Sequence, residues 1–202
     1  MKLVVLGATG GTGRLVVEQA LTAGHTVTAL VRSPGKLSVG NPNLRVVKGD
    51  ATNTSDLTSA LQGAGAIIST LGGTGSVIAD STQAMVAAAK AAGVRRVVVM
   101  SSWFVERDRL NAGTRLLTGI GMGGMVKDKI SGEQALRASD LDWTIVYASL
   151  LTNGPATGSV SVLPDEARRS MSQRISRADV AAWMVKAVTS PQYIRSSVGI
   201  TG

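Results

Sequence analysis

Seven residues near the start of the chain, Gly7-Ala8-Thr9-Gly10-Gly11-Thr12-Gly13, carry its most informative chemical pattern. They follow an apolar run of strand length, Lys2 to Leu6. A helical spacing of Leu15, Val16, Gln19 and Ala20 begins directly after them. Strand, glycine turn and helix in that order is the setting in which such glycines can hold a phosphate. Gly7 permits a backbone turn that a side chain would block. Gly10 leaves room for a diphosphate beside the main chain, and Gly13 lets the helix lie close on the sheet. Thr9, Gly11 and Thr12 complete the turn, and the unpaired N–H groups of the first helical turn face the phosphates. The spacing is G-x-x-G-x-x-G, with a G-x-G step kept at Gly11 and Gly13. A tight strand-to-helix connection without a ligand would show the same glycines. No Gly-Lys-Ser/Thr follows, which argues against a nucleoside-triphosphate loop.

A second strand, Thr26 to Val31, ends in Arg32-Ser33-Pro34-Gly35-Lys36. Where a dinucleotide is bound, an acid at this place takes both ribose hydroxyls and repels a 2′-phosphate. Here a guanidinium, a hydroxyl and an ammonium stand instead, at Arg32, Ser33 and Lys36. They suit a 2′-phosphate and so point to NADP(H). A solvated basic loop is the alternative.

The elements that must position these groups can be read in order. Leu44 to Val47 is a third strand, followed by Gly49-Asp50-Ala51. Asp50 either accepts from the adenine amino group beside Ala51 or caps a helix starting near Thr54-Ser55-Asp56. Ala64 to Ser69 is a fourth strand. Leu71 and Gly72 after it would let the second ribose and the nicotinamide approach the backbone. A helix from Ser76 to Ala92 turns Ala84, Ala87, Ala88 and Ala91 inward and stops at Gly93. Val94 to Met100 is a fifth strand with Ser101 and Ser102 at its end. Strands alternating with helices in this rhythm give an α/β fold with a doubly wound parallel sheet, whose ligands bind beyond the carboxyl ends of the strands.

Residues 103–124 are the least regular stretch. Their glycine run, Thr118 to Met125, reads as a hinge for a flap at the active edge, with Trp103, Phe104 and Met122 as an apolar lining. Core packing is the alternative for each of the three. A helix from about Met125 to Ser139 puts Lys129, Glu133 and Arg137 on one face, which in its plainest form is a solvated charge ladder. Leu141 to Val146 is a sixth strand, with Tyr147, Ala148 and Ser149 running off its active edge. Residues 152–202 form a small C-terminal extension: a strand near Val160 to Val162, a helix from Ser176 to Ser190 opened by a Ser176-Arg177-Ala178-Asp179 cap turn, and a strand from Val198 to Thr201. One domain over 1–202 is expected.

Composition narrows the function classes. The 202 residues carry a formal charge of +8 and no cysteine. Disulfides, thiolate metal sites and cysteine nucleophiles are therefore excluded. The single histidine, His25, sits at the end of the unit opposite the glycine turn, so no metal site is expected. Basic residues are scattered and aromatics are few, with three Trp, two Tyr and one Phe, which argues against nucleic acid. No run is long enough for a membrane span. The start of the chain shows no signal-peptide pattern, and a cytoplasmic monomer or homodimer is expected.

With these pieces placed, the chain resembles the atypical short-chain dehydrogenase/reductase superfamily over nearly its whole length. The segments that carry the likeness are Gly7 to Gly13, Val31-Arg32-Ser33, Gly49-Asp50, Val97 to Ser102, Lys129-x-x-x-Glu133, Leu141 to Val146 and Ile175 to Ala181. It looks most similar to the NAD(P)H-binding group of biliverdin-IXβ/flavin reductases and NmrA-like regulators. The resemblance implies a Rossmann-type fold and NADP(H) as cofactor. It places Ser102 at the active-edge serine and gives Lys129 the ribose or an acidic substrate group. One departure stands out. Ordinary short-chain dehydrogenases carry a tyrosine four residues before the lysine, and here Met125 occupies that place. Conversion of an alcohol and a ketone by that tyrosine is accordingly disfavoured.

A conjugated acceptor such as a flavin, quinone or linear tetrapyrrole asks less of the protein. It must be stacked on the nicotinamide, and the proton can come from solvent. Trp103, Phe104, Met122 and Ser149 are the candidate substrate contacts. The expected function is reduction of such a small molecule. The alternative is a non-catalytic NADP(H)-binding sensor acting through a protein partner. An epimerase of sugar nucleotides fits less well, because those relatives usually keep the tyrosine and carry a larger substrate domain.

Overall fold

The computed structural model spans residues 1–202 and describes all of them except the side chains of 117–122. Strands β1 (Lys2–Leu6), β2 (Thr26–Val31), β3 (Leu44–Lys48), β4 (Ala66–Ser69), β5 (Arg96–Ser102) and β6 (Asp142–Ala148) alternate with helices α1 (Gly11–Thr22), α2 (Thr54–Ala60), α3 (Val77–Ala92) and α4 (Ala112–Arg137). The C-terminal portion adds β7 (Leu150–Thr152), β8 (Ser161–Leu163), β9 (Arg174–Ser176), α5 (Arg177–Val188) and β10 (Ser196–Thr201). The main sheet runs β3-β2-β1-β4-β5-β6-β10-β8, all parallel except β8, and β7 pairs with β9 in a separate ribbon. This is the Rossmann-type doubly wound sheet expected from the sequence. The order reverses between β1 and β4, and the crevice there is the place where such sheets take ligands.

Alternation along β1 shows why the sheet needs cover on both faces. Leu3 and Val5 pack with Val16, Ala20, Val180 and Met184 on the α1/α5 side. Val4 and Leu6 pack with Leu57, Met85, Leu136 and Trp143 on the α2/α3/α4 side. Successive side chains of a strand point to opposite faces, so a run of apolar residues serves two cores at once. Each fully buried aliphatic contributes about 1.5–3 kcal/mol.

Three local expectations are corrected. Helix α4 begins at Ala112, capped by Asn111 Oδ1 accepting from Thr114 N at 2.8 Å, and not near Met125. Two 3₁₀ turns, Trp103–Val105 and Arg107–Arg109, precede it. The hinge expected across the glycine run falls mainly on 117–122, outside the described residues. The inner face of α3 is Ile78, Ala84, Met85, Ala88 and Ala89, while Ala87 and Ala91 are exposed. A row of alanines fits two helical phases, and Met85 decides between them. Asp50 does not cap α2; Asn53 does, accepting from Ser55 N and Asp56 N.

One contact fixes α4 against the crevice. The cap residue of α3, Ser76, makes no side-chain bond to the helix backbone. Asp128 of α4 takes its place: Oδ2 accepts from Ile78 N at 3.0 Å and Oδ1 from Ala79 N at 2.9 Å. Asp128 is buried. One turn on, a Cβ at Gly132 would lie 3.0 Å from Thr82 Oγ1 and 3.2 Å from Ile78 O, so the two helices touch at that glycine. Asp128→Ala leaves two buried N–H groups without acceptors. The expected loss is about 2 kcal/mol, or about 4–8 °C in Tm, measured by thermal melting.

Candidate functional site

The glycine turn is built by backbone contact. Gly7 has φ 79°, and a Cβ there would meet Thr70 at 2.9 Å. A Cβ on Gly13 would stand 2.0 Å from Gly7 O, so α1 can seat on β1 only with glycine at 13. Gly10 N donates to Gly7 O at 3.0 Å and closes the turn. Gly10 is also the cap of α1 and brings no side-chain acceptor. The first-turn N–H groups, at the positive end of the helix dipole, thus keep their capacity for an anion.

A cavity of about 320 Å³ opens in front of this turn. Gly7, Thr9, Gly10, Arg32, Asp50, Ala51, Leu71 and Gly72, all expected from the sequence, line it, together with Thr70 and Val77, which were not. Thr70 was legible only as the residue after a strand. Its hydroxyl donates to Leu6 O at 3.2 Å and ties β4 to β1 under the turn. Asp50 Oδ1 accepts from both Thr52 N and Thr52 Oγ1 at 2.9 Å. These bonds, with the nearby Arg32 charge, hold its carboxyl below the usual range. It is therefore an ionised acceptor at neutral pH. Arg32, Ser33 and Lys36 are exposed. The loop carrying them is tied to α1 by Arg14 Nη2, which donates to Lys36 O at 3.2 Å.

A second group lies where β5 and β6 end beneath α4. Ser101 Oγ donates to Glu133 Oε1 at 2.6 Å, and Tyr147 OH donates to Glu133 Oε2. Arg137 Nη2 donates to Tyr147 OH at 3.1 Å and to Ser197 Oγ at 2.6 Å, and stands 3.9 Å from Glu133. Its guanidinium lies 5.0 Å from the centre of the Trp143 ring. Glu133 is only 8% exposed, so a solvated ladder is not what α4 presents. The clue was in the sequence. Val126 and Leu136, on the same helical phase as Glu133, are buried, and an acid between them faces the core. Burial pushes the Glu133 carboxyl up, against the pull of its donors and of Arg137 and Lys129. Burial likewise pushes the Lys129 ammonium down, opposed by Glu133 and Asp128. Tyr147 is raised by burial and then by the Glu133 charge, so its phenol stays protonated.

The remaining candidates are dispersed. Lys129, Ser101 and Glu133 line one small pocket. Ser102, half-buried, is the last residue of β5. Trp103 is buried with Nε1 unpaired and lies 4.4 Å from the Phe104 ring. Ala148 is in the α1/α5 core. Ser149 is buried, and its hydroxyl donates to Ile200 O at 3.1 Å. Met122 lies outside the described residues. Among the described residues, no cluster of His, Asp or Glu could hold a metal ion, and no helix is long and apolar enough to cross a membrane.

Comparison with known proteins agrees with this geometry. A family model described as NAD(P)H-binding matches residues 7–191. An uncharacterised chloroplastic protein of Arabidopsis thaliana is 31% identical over 93% of this chain and 71% of its own length. A (4-alkanoyl-5-oxo-2,5-dihydrofuran-3-yl)methyl phosphate reductase of Streptomyces griseus is 28% identical over 99% of this chain and 67% of its own length. Among solved structures, an anaerobillin reductase of Escherichia coli superposes with a TM-score of 0.86 at 25% identity, over 100% of this chain and 97% of that one. The chain belongs to the NAD(P)H-binding family of Rossmann-type oxidoreductases.

The buried carboxyl has a pH signature. Its pKa is raised in the folded chain, so its contribution to stability is complete below about 4.5, the ordinary value, and is lost as pH rises through the folded pKa. Glu133→Gln removes that titration. Thermal melts from pH 4.5 upward are expected to show the wild type losing stability relative to Glu133→Gln as pH rises. A pH-independent difference between the two would contradict the assignment.

Proposed function

We propose that this member of the NAD(P)H-binding family is an NADPH-dependent reductase of a small conjugated acceptor, such as a flavin, quinone or linear tetrapyrrole. The observation that carries the cofactor half is the cradle at Gly7 to Gly13, where no Cβ fits at Gly7 or Gly13 and the cap of α1 leaves its N–H groups open. Arg32 on the wall of the same cavity, with Ser33 and Lys36 beside it in sequence, gives the preference for a 2′-phosphate. Asp50 accepts from the adenine amino group beside Ala51. Leu71 and Gly72 allow close approach of the second ribose. Tyr147 and Ala148 back the nicotinamide end.

Bound there, the dinucleotide supplies the hydride. The protein's part is positional. Lys129 holds the ribose or an acidic group of the acceptor, and Ser102 donates to the nicotinamide amide or the acceptor. Phe104, half-buried against the Trp103 ring, offers the apolar surface on which a flat molecule rests. Met125 stands four residues before Lys129, so no phenol delivers a proton there and solvent supplies it. Relatives named as reductases of a furanone phosphate and of anaerobillin support a small acceptor. In this reading residues 1–202 work as one NAD(P)-binding domain in the cytoplasm, as monomer or homodimer. The Met125 departure also favours a second reading, an NADP(H)-binding sensor without turnover.

Two measurements test these statements. Arg32→Ala is expected to weaken NADPH binding about ten-fold or more and to leave NADH binding nearly unchanged; equal weakening of both removes the preference for NADP. NADPH oxidation, followed by absorbance with FMN, riboflavin, biliverdin and simple quinones, is expected to saturate with at least one acceptor and to fall in Ser102→Ala and Lys129→Ala. Tight NADPH binding without turnover across the panel replaces the reductase with the sensor.

A further inference from the structure

Arg177 has no part in the cofactor pattern read from the sequence, where it was one letter of a helix cap. In the fold it lies over the glycine turn. A Cβ on Gly11 would stand 3.1 Å from Arg177 Cδ and 3.2 Å from its Nε. Helices α1 and α5 pack side by side, and Gln19 Nε2 donates to Ala178 O at 2.9 Å. The start of α5 therefore lies along the side of α1, and the Arg177 side chain reaches from it to Gly11.

The placement of this cation is electrostatically unfavourable without a ligand. Arg177 is the first residue of α5, at the positive end of the helix dipole, where a carboxylate is preferred. Among the described residues it forms no ion pair. Asp179, two residues on, is committed elsewhere: its carboxylate accepts from Thr157 N, Thr157 Oγ1, Gly158 N and Ser176 Oγ. Among the described residues, the only hydrogen bond of Arg177 is from Nη1 to Asn153 Oδ1, at 2.8 Å. That bond holds the guanidinium in place and leaves Nη2 without a partner among the described residues. Asn153 is itself on the segment that Asp179 anchors, through Thr157 and Gly158, to the start of α5.

We infer that Arg177 is a binding residue for the dinucleotide diphosphate, closing over the glycine turn from the α5 side and held in position by Asn153. This rests on the cofactor reading above and adds a group to it. The first turn of α1 offers its uncapped backbone N–H groups to the phosphates. Arg177 adds a full charge and a planar fork suited to phosphate oxygens. Arg32 and Arg177 then read different parts of one molecule: Arg32 the 2′-phosphate, Arg177 the diphosphate common to NADPH and NADH.

That division sets the experiment. Dissociation constants of NADPH, NADH and adenosine 2′-monophosphate are measured for the wild type, Arg177→Gln, Arg177→Lys and Arg32→Ala. Arg177→Gln is expected to weaken NADPH and NADH by the same factor, about ten-fold, and to leave the monophosphate, which has no diphosphate, unchanged. Arg177→Lys recovers part of the loss because it keeps the charge. Arg32→Ala gives the opposite pattern, weakening NADPH and the monophosphate. Unchanged dinucleotide binding in Arg177→Gln overturns the inference and leaves the cofactor reading standing. An equal loss for all three ligands in that variant, or a fall in its Tm matching the loss, marks a structural role and overturns it too. Absence of dinucleotide binding by the wild type overturns the cofactor reading and the inference together.

Discussion

The carboxyl edge of this protein depends on how closely α1 approaches β1. The distance is set at one point, where Gly13 faces the carbonyl of Gly7 with no space for even a methyl group. Close seating aims the open N–H groups of the first helical turn into the crevice at the reversal of strand order. It also brings Thr70 beneath the turn, where its hydroxyl bonds the carbonyl of Leu6. A helix set back by a side chain would move its positive end away from the crevice, and β4 would lose its polar tie to β1.

On the other half of the edge the organising element is a buried charge. Glu133 joins the ends of β5 and β6 to α4 by accepting from Ser101 and Tyr147. Taking a carboxylate out of water costs several kcal/mol, and only donors of good geometry offset it. Lys129, one turn away, bears a related cost, and each of the two charges reduces the other's. Asp128 and Gly132, on the side of α4 facing α3, fix the depth at which this group sits. Positioning of Lys129 is thus a property of the α3–α4 contact as much as of its own surroundings.

The C-terminal portion completes the edge from the α1 side. Ser176 caps α5 by accepting from Asp179 N at 2.9 Å, and Asp179 in turn gathers the 157–158 backbone onto the helix start. The ribbon of β7 and β9 brings Thr152 beside Ser176 in register. Asn153 follows directly, and with it the side chain that holds Arg177. A short cap motif at one helix thereby places a cation beside the glycine turn of another.

The sequence by itself determined the strand–helix alternation, the parallel doubly wound sheet and the glycine turn between β1 and α1. Each of these is written in local pattern: apolar runs, glycine spacing and caps such as Gly93 and Ser176. It also marked most of the lining of the cavity in front of that turn, because the ends of consecutive strands are forced to one edge. The start of α4 was hidden because glycines mask the Asn111 cap, and the inner face of α3 because alanines carry no phase. The tertiary structure alone decided which polar side chains meet. Ser101, Glu133 and Tyr147 come from two strands and a helix, Asp128 caps a helix 50 residues before it, and Arg177 reaches a turn at the opposite end of the chain. Such pairings leave no local signature, because they are fixed by the depth and angle at which helices settle on the sheet.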